Sequence, residues 1–290
     1  MKNAFSIDVE DYFHVAAFKH VIRRSSWDGY PSRVVSNTER LLETLAVHDV
    51  NATFFILGWV AERYPGLVRK IDAAGHEVAC HGYSHQNIYE QNQRIFATET
   101  RRAKAIIENE IGKPIDGYRA ASFSITSASM WALDVLIEAG FRYDSSIAPV
   151  WHDMYGIPDA AREPTVIAAP SGATIAELPM STMNLFGLRV PASGGGYFRL
   201  YPYWFTQFVI RSLNCSGRAA NFYMHPWEID VDQPRIANVG WKSNFRHYNN
   251  LDKVESRLHR LLTNFEFGTC REILEDAGVL KSIAIQRKAS

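Results

Sequence analysis

NATFFILGWVAERYPGLVRKIDAAGHEVACHGYSH, residues 51–85, reads as one strand–helix–strand unit with chemistry at its far end. Asn51 to Gly58 is a continuous apolar run closed by glycine, the pattern of a strand buried on both faces. Trp59 to Ala74 is helical in two pieces, with Pro65 suited to a first-turn position and Gly75 to the C-terminal stop. His76 to Cys80 is the next short strand, and His81-Gly82-Tyr83-Ser84-His85 follows it.

The same alternation extends both ways. Upstream, Ala4 to Val9 reads as a strand ending in acids, and Ser36 to His48 as a helix with Ser36 and Glu39 spaced as a capping box. Downstream, Gln91 to Ile111 is a helix closed by Gly112 and Pro114, and Tyr118 begins a strand or is a strand end. Ser127 to Ala139 is a helix stopped by Gly140, and Phe141 to Tyr143 a strand. Alternating strands and helices predict an α/β fold, a parallel sheet covered by helices, with a barrel among its forms.

Beyond Asp144 the pattern changes. Residues 149–200 are rich in Pro, Gly, Ser and Thr, with strand-like pieces at Thr165–Ala168 and Ile175–Leu178. They read as long functional loops with a hairpin, Ser193–Gly196 being a turn or a close backbone approach. Tyr203 to Leu213 is helical after Pro202, Ala220 to His225 a strand, and Leu251 to Phe265 a final long helix. No internal repeat or low-complexity segment is present.

The chain has 290 residues, normal for a single α/β barrel-like domain, and a 47% hydrophobic content that supplies a sizeable core. Lys plus Arg and Asp plus Glu both number 31, so bulk charge argues against nucleic acid or a membrane surface as partner. Three cysteines, Cys80, Cys215 and Cys270, give neither a disulfide framework nor a CxxC pair. Strand alternation turns Cys80 away from His81, which makes it a buried structural residue. No stretch approaches the ~20 apolar residues of a transmembrane segment. MKNAFSIDVEDYFHV lacks the apolar core of a secretory signal, so the expected location is cytoplasmic.

Several residues at strand ends carry chemistry. Two histidines four apart around a glycine can aim two imidazoles at one metal ion, although the spacing alone also fits core or surface histidines. Two imidazoles and one carboxylate leave the open position that a catalytic zinc requires. Asp8, Glu10 and Asp11 end the first strand; period-two alternation puts Asp8 and Glu10 on one face, so that one can hold the metal and the other accept a proton. Asp11 is the competing ligand if the strand ends before Glu10, and a solvated acidic turn is the bland alternative. His225 ends an apolar strand and suits a proton donor separate from the metal pair. Arg119 can hold Asp8 ionised, a surface arginine being the alternative. Asp144 can orient His225, or cap the turn that follows it.

These motifs, in this order, resemble the polysaccharide deacetylases of carbohydrate esterase family four. The resemblance lies in Ser6-Ile7-Asp8, His81 to His85, Tyr118-Arg119, Asp144-Ser145-Ser146 and Tyr223-Met224-His225, and runs from residue 5 to about 230. The opening Asp8-Val9-Glu10-Asp11-Tyr12-Phe13, with Gly194 to Arg199, His225-Pro226-Trp227-Glu228 and Phe245 to Tyr248, is similar to a branch with a C-terminal extension associated with bacterial exopolysaccharide export (exosortase-linked) systems.

The resemblance implies a deformed (β/α)7 barrel over residues 1–290, one catalytic domain whose residues 190–290 include the extension. It implies a divalent metal, zinc first, and removal of acetyl from an N-acetylated glycan or glycan precursor. In that scheme Asp8 is the base, His225 the acid, and Arg119 and Asp144 their partners. His81, His85 and an acid hold the metal. The family pattern has two adjacent Asp where Val9 follows Asp8, which favours Glu10 as third ligand with Asp11 in reserve. It also has a Pro where Ala121 stands. A backbone N–H near Arg119 would help hold the oxyanion. Tyr197, Arg199 and Trp227 are candidate substrate contacts, with Phe198, Trp241, Arg246 and Tyr248 beside them. Hydrolysis of another C–N bond, such as the ring amide of allantoin, is the alternative reaction, and a non-catalytic glycan-binding protein a third.

Overall fold

The computed structural model describes residues 1–152, 155–185, 188–191 and 193–283. Within the loop-rich stretch 149–200, positions 153–154, 186–187 and 192 lie outside the described residues.

Four strands start the sheet: β1 (Asn3–Val9), β2 (Thr53–Ile56), β3 (Glu77–Cys80) and β4 (Gly117–Tyr118). Strands β5 (Tyr143–Asp144), β6 (Thr165–Ala168) and β7 (Thr174–Glu177) continue it. A separate antiparallel hairpin, β8 (Thr182–Leu185) with β9 (Leu188–Pro191), precedes β10 (Asn221–Met224) and β11 (Phe267–Gly268). The order β10-β1-β2-β3-β4-β5-β7 is parallel throughout, with β6 antiparallel on β7 and β11 added beside β1. These seven parallel strands curl into an incomplete barrel. Its two ends meet through side chains: Asn221 N–H donates to Ser181 Oγ at 2.7 Å, and its Nδ2 to the Pro179 carbonyl at 3.2 Å.

Helices cover the outside: α1 (Val34–Val47), α2 (Gly58–Arg63), α3 (Pro65–Ala73), α4 (Gln93–Ile111) and α5 (Trp131–Glu138). Beyond the hairpin come α6 (Gly195–Leu200), α7 (Tyr203–Cys215), α8 (Trp241–Tyr248), α9 (Val254–Asn264) and α10 (Cys270–Asp276). No helix of the described residues is long and apolar enough to cross a membrane.

Alternation sorts the strand residues. Phe5, Ile7 and Val9 join Phe54, Ile56, Val78 and Cys80 in the helix-side core, as expected for Cys80. Ala4, Phe55, Ala79 and Tyr143 face inward, where Cys270, Ile273 and Leu274 of α10 plug one end of the barrel. Ser6 and Asp8 share the inward face of β1, so Asp8 emerges at the opposite, C-terminal end, where such barrels carry their sites.

Several expectations are corrected. Helix α1 starts at Val34, and Ser36 lies inside it, donating to the Arg33 carbonyl rather than capping; the first turn is served instead by the Asp11 carboxylate, distant in sequence. Gly58 opens α2 rather than ending β2. Tyr118 is a strand end, one of its two readings, and the next strand is Tyr143–Asp144 instead of Phe141–Tyr143. The helix expected from Ser127 is a 3-10 turn followed by α5. The helix expected over 251–265 is a 3-10 turn plus α9, and it is not the last, since β11 and α10 follow. Thr269 caps α10, accepting the Glu272 N–H at 3.1 Å.

Candidate active site

At the C-terminal end of the barrel a cavity of about 280 Å3 contains Asp8, Glu10, His81, His85 and His225 in its wall. Asp8 leaves the inward face of β1, and Glu10 N–H then returns to the Asp8 carbonyl at 3.0 Å. This i to i+2 turn ends the strand at Val9 and places Glu10 over the same cavity by a turn rather than by alternation.

His81 follows β3, its backbone N–H on the Ile56 carbonyl at 2.9 Å. Its Nδ1 lies 2.9 Å from the Arg119 carbonyl, so Nδ1 carries the proton and Nε2 keeps its lone pair for the cavity. Burial holds this imidazole down at about 4, hence neutral. The chain then turns through Gly82 (φ +74°), where a Cβ would meet the Tyr118 hydroxyl at 3.3 Å, and His85 itself sits at φ +49°. The loop is pinned to the start of α2 by Gly58 N–H on the Gly82 carbonyl (2.7 Å) and Trp59 N–H on that of Tyr83 (3.1 Å).

Ligand-capable atoms of Glu10, His81 and His85 all lie within 4.8 Å of one another. Glu10 Oε2 stands 2.8 Å from His85 Nε2, yet it makes no directed hydrogen bond, and His85 Nδ1 likewise has none among the described residues. Burial pushes the Glu10 carboxyl up, but His85, His225 and His81 around it win and hold it well below the usual range. An ionised, buried carboxylate with an oxygen free of hydrogen bonds, facing two imidazoles, is a donor set that fits a divalent metal.

Asp11 is elsewhere. Its carboxylate accepts from Ser32 Oγ (2.6 Å) and from the N–H groups of Tyr12, Arg33 and Val34, tying the loop to the first turn of α1. The two adjacent acids that the sequence leaves as competitors therefore have separate jobs.

Arg119, fully buried, reaches Asp8 Oδ1 and Ser6 Oγ with Nη1, both at 2.8 Å. Its Nε and Nη2 donate to the Ser145 carbonyl and hydroxyl, and its carbon lies 4.0 Å over the Phe55 ring. The guanidinium thus takes one oxygen of Asp8 and leaves Oδ2 toward the cavity. His225 Nε2 stands 4.0 Å from that oxygen and 3.5 Å from Glu10 Oε1. Burial opposes charge on His225, but Glu228 on its Nδ1 at 2.6 Å and the neighbouring Glu10 raise it to about 9. It is a protonated imidazole near neutral pH.

Asp144 does not meet His225. Its carboxylate bonds to the Ser146 hydroxyl and backbone and neighbours the buried Glu177. Burial raises it to about 6, and burial together with Asp144 raises Glu177 well above the usual carboxylate range. The partner of His225 is Glu228, missed in the sequence although His-Pro-x-Glu has a proline at the first turn and an acid three residues on. Nor is Arg199 open to a ligand: it is 3% exposed and spent on Glu228 and on the carbonyls of Arg246, His247 and Asn249. Trp227 has both faces taken, stacked between His225 and His247, so it forms wall rather than platform. Phe198 is core, and the Tyr248 hydroxyl is held by Ile236 and Pro234. Trp241 is exposed and stands apart from the cavity wall, whereas Arg246 lines it. Tyr197 lies beside it, its hydroxyl 3.4 Å from that of Tyr155. Ser122 and Phe123, both at positive φ, line the cavity beyond Arg119.

Residues 26–143 match the polysaccharide deacetylase family, and residues 145–275 match a domain of unknown function, DUF3473. A Bacillus cereus peptidoglycan-N-acetylglucosamine deacetylase is 31% identical over 107 residues, covering 36% of this chain and 38% of that protein. A chitooligosaccharide deacetylase of Sinorhizobium fredii is 45% identical over 51 residues, 18% of this chain and 24% of that protein. The chain thus spans well under half the length of these curated relatives. Among solved structures, a Mycobacterium smegmatis protein assigned by name to the polysaccharide deacetylases covers 98% of this chain and 90% of its own, at 19% identity and TM-score 0.59. Puue allantoinase covers 94% and 88%, at 14% identity and TM-score 0.60. Both likenesses concern the fold.

Proposed function

We propose that this chain hydrolyses the N-acetyl amide of an amino sugar in a glycan or glycan precursor, using a divalent metal, zinc first, on Glu10, His81 and His85. The observation that carries the reading is the opposition of an acceptor and a donor across that triad. Asp8 Oδ2 is free for a proton while Arg119 holds Oδ1, and a charged His225 faces it. When bound, the metal supplies Lewis acidity to a water and to the acetyl carbonyl.

The chain's own groups do the rest. Asp8 accepts the proton of the attacking water, and Arg119 holds Asp8 in place through Oδ1. His225 Nε2 donates to the departing nitrogen, which leaves as an amine rather than an anion. A backbone N–H of the loop that follows Arg119 would steady the carbonyl oxygen, that of Phe123 being already spent on the Ala120 carbonyl at 3.1 Å. In this reading residues 1–290 work as one catalytic unit, since β10 of the later half pairs directly with β1, which carries Asp8.

The test is acetate release from peptidoglycan fragments, chitooligosaccharides and nucleotide-linked N-acetyl sugars, with and without chelator, with allantoin as the ring-amide control. Asp8→Asn is expected to cut turnover ~100- to 10,000-fold, the range of a lost general base, with zinc content unchanged. Full activity in that variant, or activity on allantoin alone, refutes the assignment.

A further inference from the structure

The donor side of the site is built by residues outside the deacetylase match. His225 precedes a 3-10 turn, Pro226–Ile229, and Glu228 on that turn is fully buried. Glu228 Oε1 lies 2.6 Å from His225 Nδ1 and accepts the His225 backbone N–H at 3.2 Å. Its Oε2 takes Arg199 Nε at 2.8 Å. Arg199 is anchored in turn by the carbonyls that end α8, at 2.8–2.9 Å for His247 and Arg246. Two separate segments therefore meet at one carboxylate, and α8 is tied to it through Arg199. Gly195 of α6 lies so close that a Cβ there would stand 2.0 Å from both Glu228 oxygens. Against the ring, Trp227 stacks on His225 at 5.1 Å and His247 on Trp227 at 4.2 Å, each tilted by 19°.

A carboxylate on Nδ1 fixes that nitrogen as a proton bearer and turns Nε2 toward Asp8 and Glu10. We infer that Glu228 is the positioning residue of His225, and that Arg199, Gly195 and α8 form the frame that holds it; this rests on the N-deacetylase reading of the site. In the step concerned, water oxygen bonds to the acetyl carbon and its proton passes to Asp8. The C–N bond then breaks, its electron pair stays on nitrogen, and the Nε2 proton of His225 joins it. Acetic acid and a free amine leave, and the proton on Asp8 exchanges through solvent to recharge His225. An unheld imidazole can rotate or present the wrong tautomer, and the second half of this step suffers while the first does not.

The full chain loaded with zinc would be assayed on an N-acetyl chitooligosaccharide, whose amine must be protonated to leave, and on 4-nitrophenyl acetate, whose phenolate need not be. Glu228→Gln is expected to lower kcat on the amide by ~10- to 100-fold, the usual effect of removing an orienting partner, with KM little changed and a much smaller loss on the ester. The amide-to-ester ratio is the readout, because misfolding lowers both rates together. Should Glu228→Gln fold poorly with Arg199 left buried and unpaired, Arg199→Met combined with Glu228→Gln removes that charge and is expected to show the same ratio. In a His225→Ala background, Glu228→Gln should change the ratio no further. Equal losses on both substrates, or a further drop in the His225→Ala background, overturn the assignment. A native chain that cleaves the ester but no N-acetyl glycan overturns the deacetylase reading instead.

Discussion

Replacing Asp11 by alanine separates two acids that are neighbours in sequence and unrelated in duty. The Asp11 carboxylate accepts four donors: Ser32 Oγ and the N–H groups of Tyr12, Arg33 and Val34. At about 1 kcal/mol net for each hydrogen bond, the loss comes to about 4 kcal/mol. Asp11 is fully buried, so water does not readily replace the acceptor. For a chain of this size that corresponds to a fall in Tm of roughly 7 °C. Glu10→Gln should act on the metal first. Glu10 Oε2 has no hydrogen bond to lose, so its stability cost is confined to the lost attraction between the carboxylate charge and His85, His225 and His81. Zinc affinity, by contrast, should fall on the order of 100-fold or more, beyond the effect of losing an outer partner of a ligand. Urea unfolding of the metal-free protein and calorimetric zinc titration read the two quantities separately. Loss of zinc binding with intact stability in Asp11→Ala would refute the division of labour.

Other outcomes follow from the same geometry. Gly195→Ala places a methyl 2.0 Å from the Glu228 carboxylate, so it should cost about 1–3 kcal/mol of stability and depress turnover, measured by denaturation and acetate release. His76 is held down at about 4 by burial, and its Nδ1 accepts the Ala52 N–H at 3.2 Å. Its contribution is present above the unfolded value of 6.5 and drains as pH falls toward about 4, because the unfolded chain binds the proton first. His76→Gln should flatten that part of a stability-against-pH curve; an unchanged slope would assign it to other groups. Arg119→Met strands the buried Asp8 charge and should cost about 3–5 kcal/mol, seen as a lowered urea midpoint, with partial recovery in Arg119→Met combined with Asp8→Asn.

Much of the site was legible because it depends on strand ends. A continuous apolar run located β2, and the residues just past β1, β3, β4 and β10 are Glu10, His81, Arg119 and His225. Asp8 on the inward face of β1 also follows from period-two alternation. What stayed hidden depends on contacts between distant segments. Nothing local distinguishes Glu10 from Asp11, since the turn at Asp8 and the reach to Ser32 decide it. Asp144 as a strand-end carboxylate suits an orienting partner of His225, but its neighbour is Glu177 on the adjoining strand, and Glu228 holds the histidine. Aromatic residues in the extension read as sugar platforms because composition does not reveal whether a ring's faces are taken. The α1 cap was misplaced for a related reason: its acceptor lies more than twenty residues upstream.

The position of β1 has a consequence for the order of events during synthesis. Residues 3–9 leave the ribosome before the other strands of the sheet, yet their neighbours on one side are residues 221–224 and 267–268, which are made more than 200 residues later. Phe5 rests on Phe222 and Phe267, with ring centres 5.3 and 5.4 Å away. Until those segments emerge, β1 can pair only with β2 and keeps an open edge, and closing it requires contacts of very long sequence separation, which fold slowly. The strand that carries Asp8 is thus made early and finished late, and the nascent chain is most exposed to aggregation along that edge.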